Sequence, residues 1–262
     1  VVGLFVALAA PSDAATYSVN QLADRVLSGD GCSLREAVAL HNANSAAVSN
    51  DCGSGDTTSD NIEFSATLNG GVVALNSRLG EIVLKAPALT IQTAKANTRV
   101  TLDGGNAMSV LVLHATTPPV LTLRRLTIQR GAGGRSPGSN TTEGGGIRTD
   151  VVLNAGAVPT TLAIEDVWFL SNAALRKPTD QGSSLGGALS SYGTLTLRRT
   201  KFVDSSAEIA AVFHVGHARI EDCEFTHNTG TRFASALSLW SDGIQTKQWI
   251  VERTLFSNNL GQ

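Results

Sequence analysis

Charge is scarce in this sequence. Asp, Glu, Lys and Arg make up 16% of its 262 residues and nearly cancel, leaving a formal charge of -2 and a pI near 6.2. That balance offers no basic excess to a polyanion, so nucleic acid is not an expected partner. Aromatic residues stand at only 5%. No Cys/His spacing fits a zinc site, and no cofactor is expected. His41, His114, His214, His217 and His227 are scattered beside no evident nucleophile. Long apolar runs are missing as well: the stretch at residues 1–10 is too short to span a bilayer, so no transmembrane segment is expected.

That stretch has another reading. In VVGLFVALAAPSDAA, residues 1–15, an apolar run leads to small residues around Ala14 and Ala15. This is the pattern of a secretory signal-peptide remnant without its basic start and initiator Met; the alternative is a buried N-terminal strand. Export would make the protein secreted or surface-bound, where disulfides persist.

Glycine, in contrast, is abundant at 26 residues and punctuates short Thr-, Val-, Leu- and Ser-rich runs of strand character. Several of these runs repeat. Aligning LTLRRLTIQRG (121–131), LAIEDVWFLSN (162–172), LTLRRTKFVDS (195–205), ARIEDCEFTHN (218–228) and WIVERTLFSNN (249–259) yields a column of Ile128, Phe169, Phe202, Phe225 and Phe256. Two more apolar columns run through Leu121, Leu162, Leu195, Ala218, Trp249 and through Leu123, Ile164, Leu197, Ile220, Val251. A second motif, GGGI (144–147), GGAL (186–189), AAVF (210–213) and ASAL (234–237), predicts another strand where backbone packs closely.

Constant strands with unequal gaps describe a solenoid whose coils share a cross-section and differ in one loop. With no amphipathic helix after residue 70, the prediction is an all-β solenoid, a right-handed parallel β-helix, over 71–262. Its coils would stack about 4.8 Å apart. Another small-residue strand should follow FSNNLGQ (256–262), so the chain is expected to be truncated there.

Two columns carry polar groups. Asn172, Asn228 and Asn259, with Gly131 and Ser205 in the same place, predict a tight bend with stacked amides; a row of sugar-binding amides is the alternative. The charged pairs Arg124-Arg125, Glu165-Asp166, Arg198-Arg199 and Glu221-Asp222 alternate in sign from coil to coil, with Glu252-Arg253 after them. Such a ladder would fix register, because a slip of one coil sets like charges together.

The segment GDGCSLREAV (29–38) has its own logic. Ser33 and Glu36 have capping-box spacing, and Leu34, Ala37, Val38 and His41 share one helical face. A helix over 33–43 is expected to lie across the open first coil, since a bare β edge invites aggregation. Cys32 has Cys52 as its expected disulfide partner, and Cys223 falls in a core column as a small buried residue.

Together, Cys32-Ser33-Leu34-Arg35-Glu36-Ala37-Val38, the closing Asp60-Asn61-Ile62-Glu63-Phe64 and the turn Leu102-Asp103-Gly104-Gly105 resemble a known group. It is that of bacterial surface or secreted proteins with a CSLREA domain ahead of right-handed parallel β-helix repeats. Phe169-Leu170-Ser171-Asn172 and Gly186-Gly187-Ala188-Leu189 are similar to the FxxN and GGA[IL] repeats of chlamydial polymorphic outer-membrane proteins. The resemblance implies a cap region over 16–70 and an exported architecture more than any chemistry. It points to a monomer that meets surface glycans or a host or cell-surface protein.

An enzyme of the pectin-lyase-like fold, a polysaccharide lyase or glycoside hydrolase, is the competing class. Its candidate residues are Glu165, Asp166, Arg198, Arg199, Glu221, Asp222 and His217, because such chemistry needs clustered carboxylates beside a basic group. Their sign alternation favours a structural ladder, and no catalytic residue is assigned. A calcium site among Asp51, Asp56 and Asp60 has the right oxygens but not the spacing of a dedicated loop. The Gly/Ser/Thr/Pro-rich insertions 132–143 and 173–185 should cluster on one side, as tolerated loops or as a binding surface.

Overall fold

A computed structural model describes residues 16–27, 29–43, 51–52, 60–85, 88–114, 119–135, 140–150, 159–176, 182–241 and 247–261. The signal-peptide reading of 1–15 and Asp56 lie outside these residues. The chain is an all-β parallel solenoid with one α-helix among the described residues.

Each coil contributes strands to separate walls. The first wall stacks Thr16–Val19, Asp60–Phe64, Ala88–Thr93, Val120–Arg124 and Thr160–Glu165, all parallel. It continues through the second halves of Leu189–Arg198 and Val212–Glu221 to Trp249–Glu252. The first halves of those two long strands join Ile82–Leu84, Leu111–Leu113, Ile147–Thr149 and Leu237–Trp240 in a second wall. A third wall runs from Val72–Ala74 through Val100–Asp103, Leu126–Gln129, Trp168–Leu170, Lys201–Val203 and Glu224–Thr226 to Leu255–Ser257.

The apolar columns form because successive residues of a strand face opposite sides, so every second side chain enters the core. Leu123, Ile164, Leu197 and Ile220 are in register and buried. On the third wall Phe169, Phe202, Phe225 and Phe256 stack with ring centroids 4.8, 4.7 and 4.9 Å apart. That is the coil spacing itself, so each ring lies flat on the next.

Strands 16–19 and 60–64 are rungs of the first wall, so the 16–70 cap region carries strands of the solenoid as well as the helix. One expectation needs correction. In the motif AAVF, Val212 and not Phe213 aligns with Leu189. The register there is shifted by one residue, which puts Phe213 outside the core tube, against Tyr192, Leu185 and Ile209.

The helix, α1 (Leu34–Ala43), starts on the capping box: the Glu36 amide donates to Ser33 Oγ at 3.1 Å and the Ser33 amide to Glu36 Oε2 at 2.8 Å. Its buried face carries Leu34, Ala37, Val38 and His41 and packs on the first strands of both walls. Two polar side chains complete the cover. Asn42 Nδ2 donates to the Val83 carbonyl and its Oδ1 accepts from the Lys85 amide, both at 2.7 Å, pairing the strand edge as a neighbouring strand would. Arg35 donates to the Gly80 carbonyl at 2.8 Å and clasps Asp24 at 2.7 and 2.9 Å. The Cys32–Cys52 disulfide closes the loop behind the helix.

Candidate functional site

The charged pairs lie where the first wall turns into the third. The second residue of each pair, Arg125, Asp166, Arg199, Asp222 and Arg253, has a left-handed backbone with φ of 57, 54, 48, 54 and 47°. From that conformation each arginine reaches back one coil. Arg199 Nε meets Asp166 at 2.8 Å and its Nη2 meets both Asp166 and Glu165; Arg253 Nε meets Asp222 at 2.6 Å. Arg125 reaches back to Gln92 and Thr93 instead. The ladder is therefore not continuous: Arg198 and Glu221 face each other in register, but Glu221 pairs with Arg219 on its own strand. Two clusters replace it, Arg124/Glu165/Asp166/Arg198/Arg199 and Arg219/Glu221/Asp222/Glu252/Arg253.

Hydrogen bonds from Arg199 to Asp166 and Glu165 push its guanidinium further up, and the Arg253 bond holds Asp222 below the ordinary carboxylate range. These are exposed pairs screened by solvent and salt, so each contributes little by itself. Arg199→Glu should lower the melting temperature by a few degrees at low salt, and Arg198→Glu by less, because Arg198 makes only a 3.9 Å contact. Melts at low and high salt check this; equal effects would show that register pairing, not the back-reaching arginine, carries the stabilisation.

The asparagine column is buried at Asn172 and Asn228 and half-buried at Asn259. The left-handed residues are the predecessors of the buried two, Ser171 and His227. Asn228 Oδ1 accepts from the Ser205 amide at 3.0 Å, and its Nδ2 donates to the Phe202 carbonyl at 2.9 Å. Asn172 bonds Gly131 and Ile128 in the same way, and Asn259 bonds Asn228 and Phe225. Each amide thus satisfies one donor and one acceptor of the preceding coil, and the burial of Asn172 and Asn228 keeps those two from meeting a sugar at the surface, while Asn259 is half-buried. Asn228→Leu would strand both groups and should cost about 2–6 kcal/mol, given about 1–3 for each buried orphan; a urea midpoint measures it.

Of the calcium candidates, Asp51 and Asp60 are described, and each is engaged by protein groups. Asp51 Oδ2 accepts from the amides of Gly29, Asp30 and Gly31 at 2.6, 2.9 and 3.0 Å, with the Asp30 bond foremost in lowering its pKa. Asp60 is buried against His41 Nδ1 at 2.6 Å. Among the described residues no group of three or more acidic, His or Cys side chains is placed to hold a metal ion. His217 Nδ1 accepts from the Gln248 amide at 3.3 Å, away from the ladder carboxylates. Cys223 is buried, which pushes its thiol up to about 11.

The cluster that local motifs did not disclose lies on the outside of the second wall. Arg148, 5% exposed, is clasped by Glu81 at 2.7 and 2.9 Å and by Asp150 at 2.8 Å. Asp150 also meets His114 at 3.2 Å. Beside them Glu143, 3% exposed, accepts from Thr141 at 2.6 Å and from Ser190 at 3.1 Å. Inside the same wall, Ser191 Oγ lies 2.9 Å from His214 Nδ1; burial lowers that imidazole to about 4. The cluster is covered because the insertions fold back over it: Gly134–Arg135 pairs antiparallel with Thr142–Glu143, which pairs parallel with Ser184–Leu185. Glu81 and Arg148 are 67 residues apart, so only the excess loop length hinted at a structure here.

Fold and sites together define the class: an all-β parallel solenoid closed at one end by a disulfide-tethered helix. No family model matches the chain, and no curated protein is found to be similar to it.

Proposed function

We propose that this is an exported protein, secreted or held at the cell surface, of the CSLREA and β-helix kind, that presents its insertions to surface glycans or a cell-surface protein without catalysing a reaction. The observation that carries the reading is the small three-stranded sheet. Insertions from two consecutive coils are knitted into one structure on one wall, which makes a joint surface out of two loops. The exposed ladder carboxylates support it too, since they are engaged by arginines and do not converge on a groove.

The test combines location and binding. Fractionated cells should yield the protein outside the cytoplasm with Cys32 and Cys52 oxidised, and shortening 136–139 should reduce binding to a glycan array or to cultured cells. Recovery in the cytoplasm with both thiols reduced would remove the export half; unchanged binding after loop shortening would remove the other.

A second reading, a polysaccharide lyase or glycoside hydrolase, is favoured by one observation: Glu81, Asp150 and Glu143 gather around Arg148. Incubation with uronate-containing and neutral polysaccharides decides it. New reducing ends or unsaturated products, abolished by Asp150→Asn, would establish the enzyme.

A further inference from the structure

We propose that the sheet formed by 134–135, 142–143 and 184–185 is a pH-sensitive strap, closed over the Arg148 cluster while Glu143 is neutral and loosened when Glu143 ionises. The inference stands on the geometry of the strap and does not depend on the functional reading above.

The carboxyl of Glu143 fastens the strap to the wall beneath. It sits on the middle strand, and its Oε2 takes the Ser190 hydroxyl of the second wall across 47 residues of chain. Its other partner, Thr141, belongs to the strap itself. Both partners are neutral hydroxyls. Arg148 spends its guanidinium on Glu81 and Asp150, and among the described residues Glu143 forms no ion pair within 4 Å.

The groups facing Glu143 do not invite a negative charge. From the Ile147–Thr149 strand and its end come Arg148 and Asp150, with His114 on the far side of Asp150. Glu81 precedes the Ile82–Leu84 strand and is joined to Arg148. Tyr192, from the second wall, carries a hydroxyl whose pKa is raised by burial first and by Glu143 second. On the strap, Arg135 donates to Asn140, and Ser184 is held through Glu208 at 2.8 and 3.0 Å. Arg148 is thus committed to Glu81 and Asp150, and the hydrogen bonds of the Glu143 carboxyl come from two hydroxyls.

Burial accordingly raises Glu143 above its ordinary 4.5; Asp150 adds to the rise, while the two hydroxyls and Arg148 oppose it. A carboxyl raised in the folded state stabilises most at pH below its ordinary value. That contribution is lost as pH rises through the raised value. The strap should therefore be tightest in acid and loosen upward from there, leaving Arg148, Glu81 and Asp150 open to solvent.

Two backbone amides report on it directly: Thr142 N donates to the Ser183 carbonyl and Gly144 N to the Leu185 carbonyl, both at 3.1 Å. Hydrogen exchange of the full chain, corrected for intrinsic rates, should show their opening increase with pH, about tenfold for each unit by which Glu143 is raised. Glu143→Gln should keep them protected across the same range, and the amides of Phe202 and Phe225 should not respond in either protein. A Glu143→Gln profile that follows the wild type would overturn the proposal. If the variant does not fold, a carbon-13 NMR titration of Glu143 in the wild type decides: an inflection at or below the ordinary glutamate value overturns it as well.

Discussion

Phe202→Ala is expected to cost about 3–5 kcal/mol, among the largest effects available to one substitution outside the cap. Phe202 is one of the two interior rings of the four-ring stack, fully buried, with Phe169 and Phe225 at 4.8 and 4.7 Å and interplanar angles of 9 and 13°. Truncation leaves a cavity that neither neighbour can fill, since Phe225 is stacked on Phe256 and Phe169 is in register with Ile128. It also removes two stacked contacts worth about 0.5–1.5 kcal/mol each. Because a solenoid is stabilised coil against coil, the loss should weaken both interfaces of one coil and reduce cooperativity. Urea unfolding should show a lower midpoint and a broader transition, while Phe202→Leu should lose under half as much. A loss below about 1 kcal/mol would mean that the Asn column and the wall hydrogen bonds, not the aromatic stack, hold the third wall in place.

The same columns explain how much of the fold was legible in the sequence. Strand alternation and the coil repeat place Phe169, Phe202 and Phe225 on one line whatever the loop lengths, because register depends only on residues within each strand. The capping box was equally legible, since Ser33 and Glu36 act on each other locally. Three features were not. Val212 and not Phe213 meets Leu189, and apolar type alone does not distinguish the two. Sign alternation does not tell which way a long side chain turns; the left-handed backbone at Arg199 and Arg253 sends both to the carboxylates of the preceding coil. The Arg148 cluster draws on coils far apart in sequence and on insertions with no repeat of their own, so no local spacing announces it.

Leu34→Asp should be the most damaging change of all. Leu34 is 1% exposed at the first turn of α1, within the apolar cluster that continues into the solenoid core. A carboxylate there would be buried without a cation of its own, because Arg35, the adjacent base, is already committed to Asp24 and to the carbonyls of the turn ahead of the Ile82–Leu84 strand. An unpaired buried charge costs several kcal/mol, enough to drive the helix off its site. The disulfide would keep it tethered but could not keep it docked. Lifting α1 strips the Asn42 amide from Val83 and Lys85 and bares the first strands of two walls. Open parallel edges above an apolar core are templates for pairing with other chains. The variant is therefore expected to form oligomers or precipitate at concentrations where the parent and the volume-conserving Leu34→Met stay monomeric, as read by size-exclusion chromatography with light scattering. If Leu34→Asp stays monomeric with an unchanged denaturation midpoint, α1 is an ornament on the first coil and the solenoid protects that end by some other means.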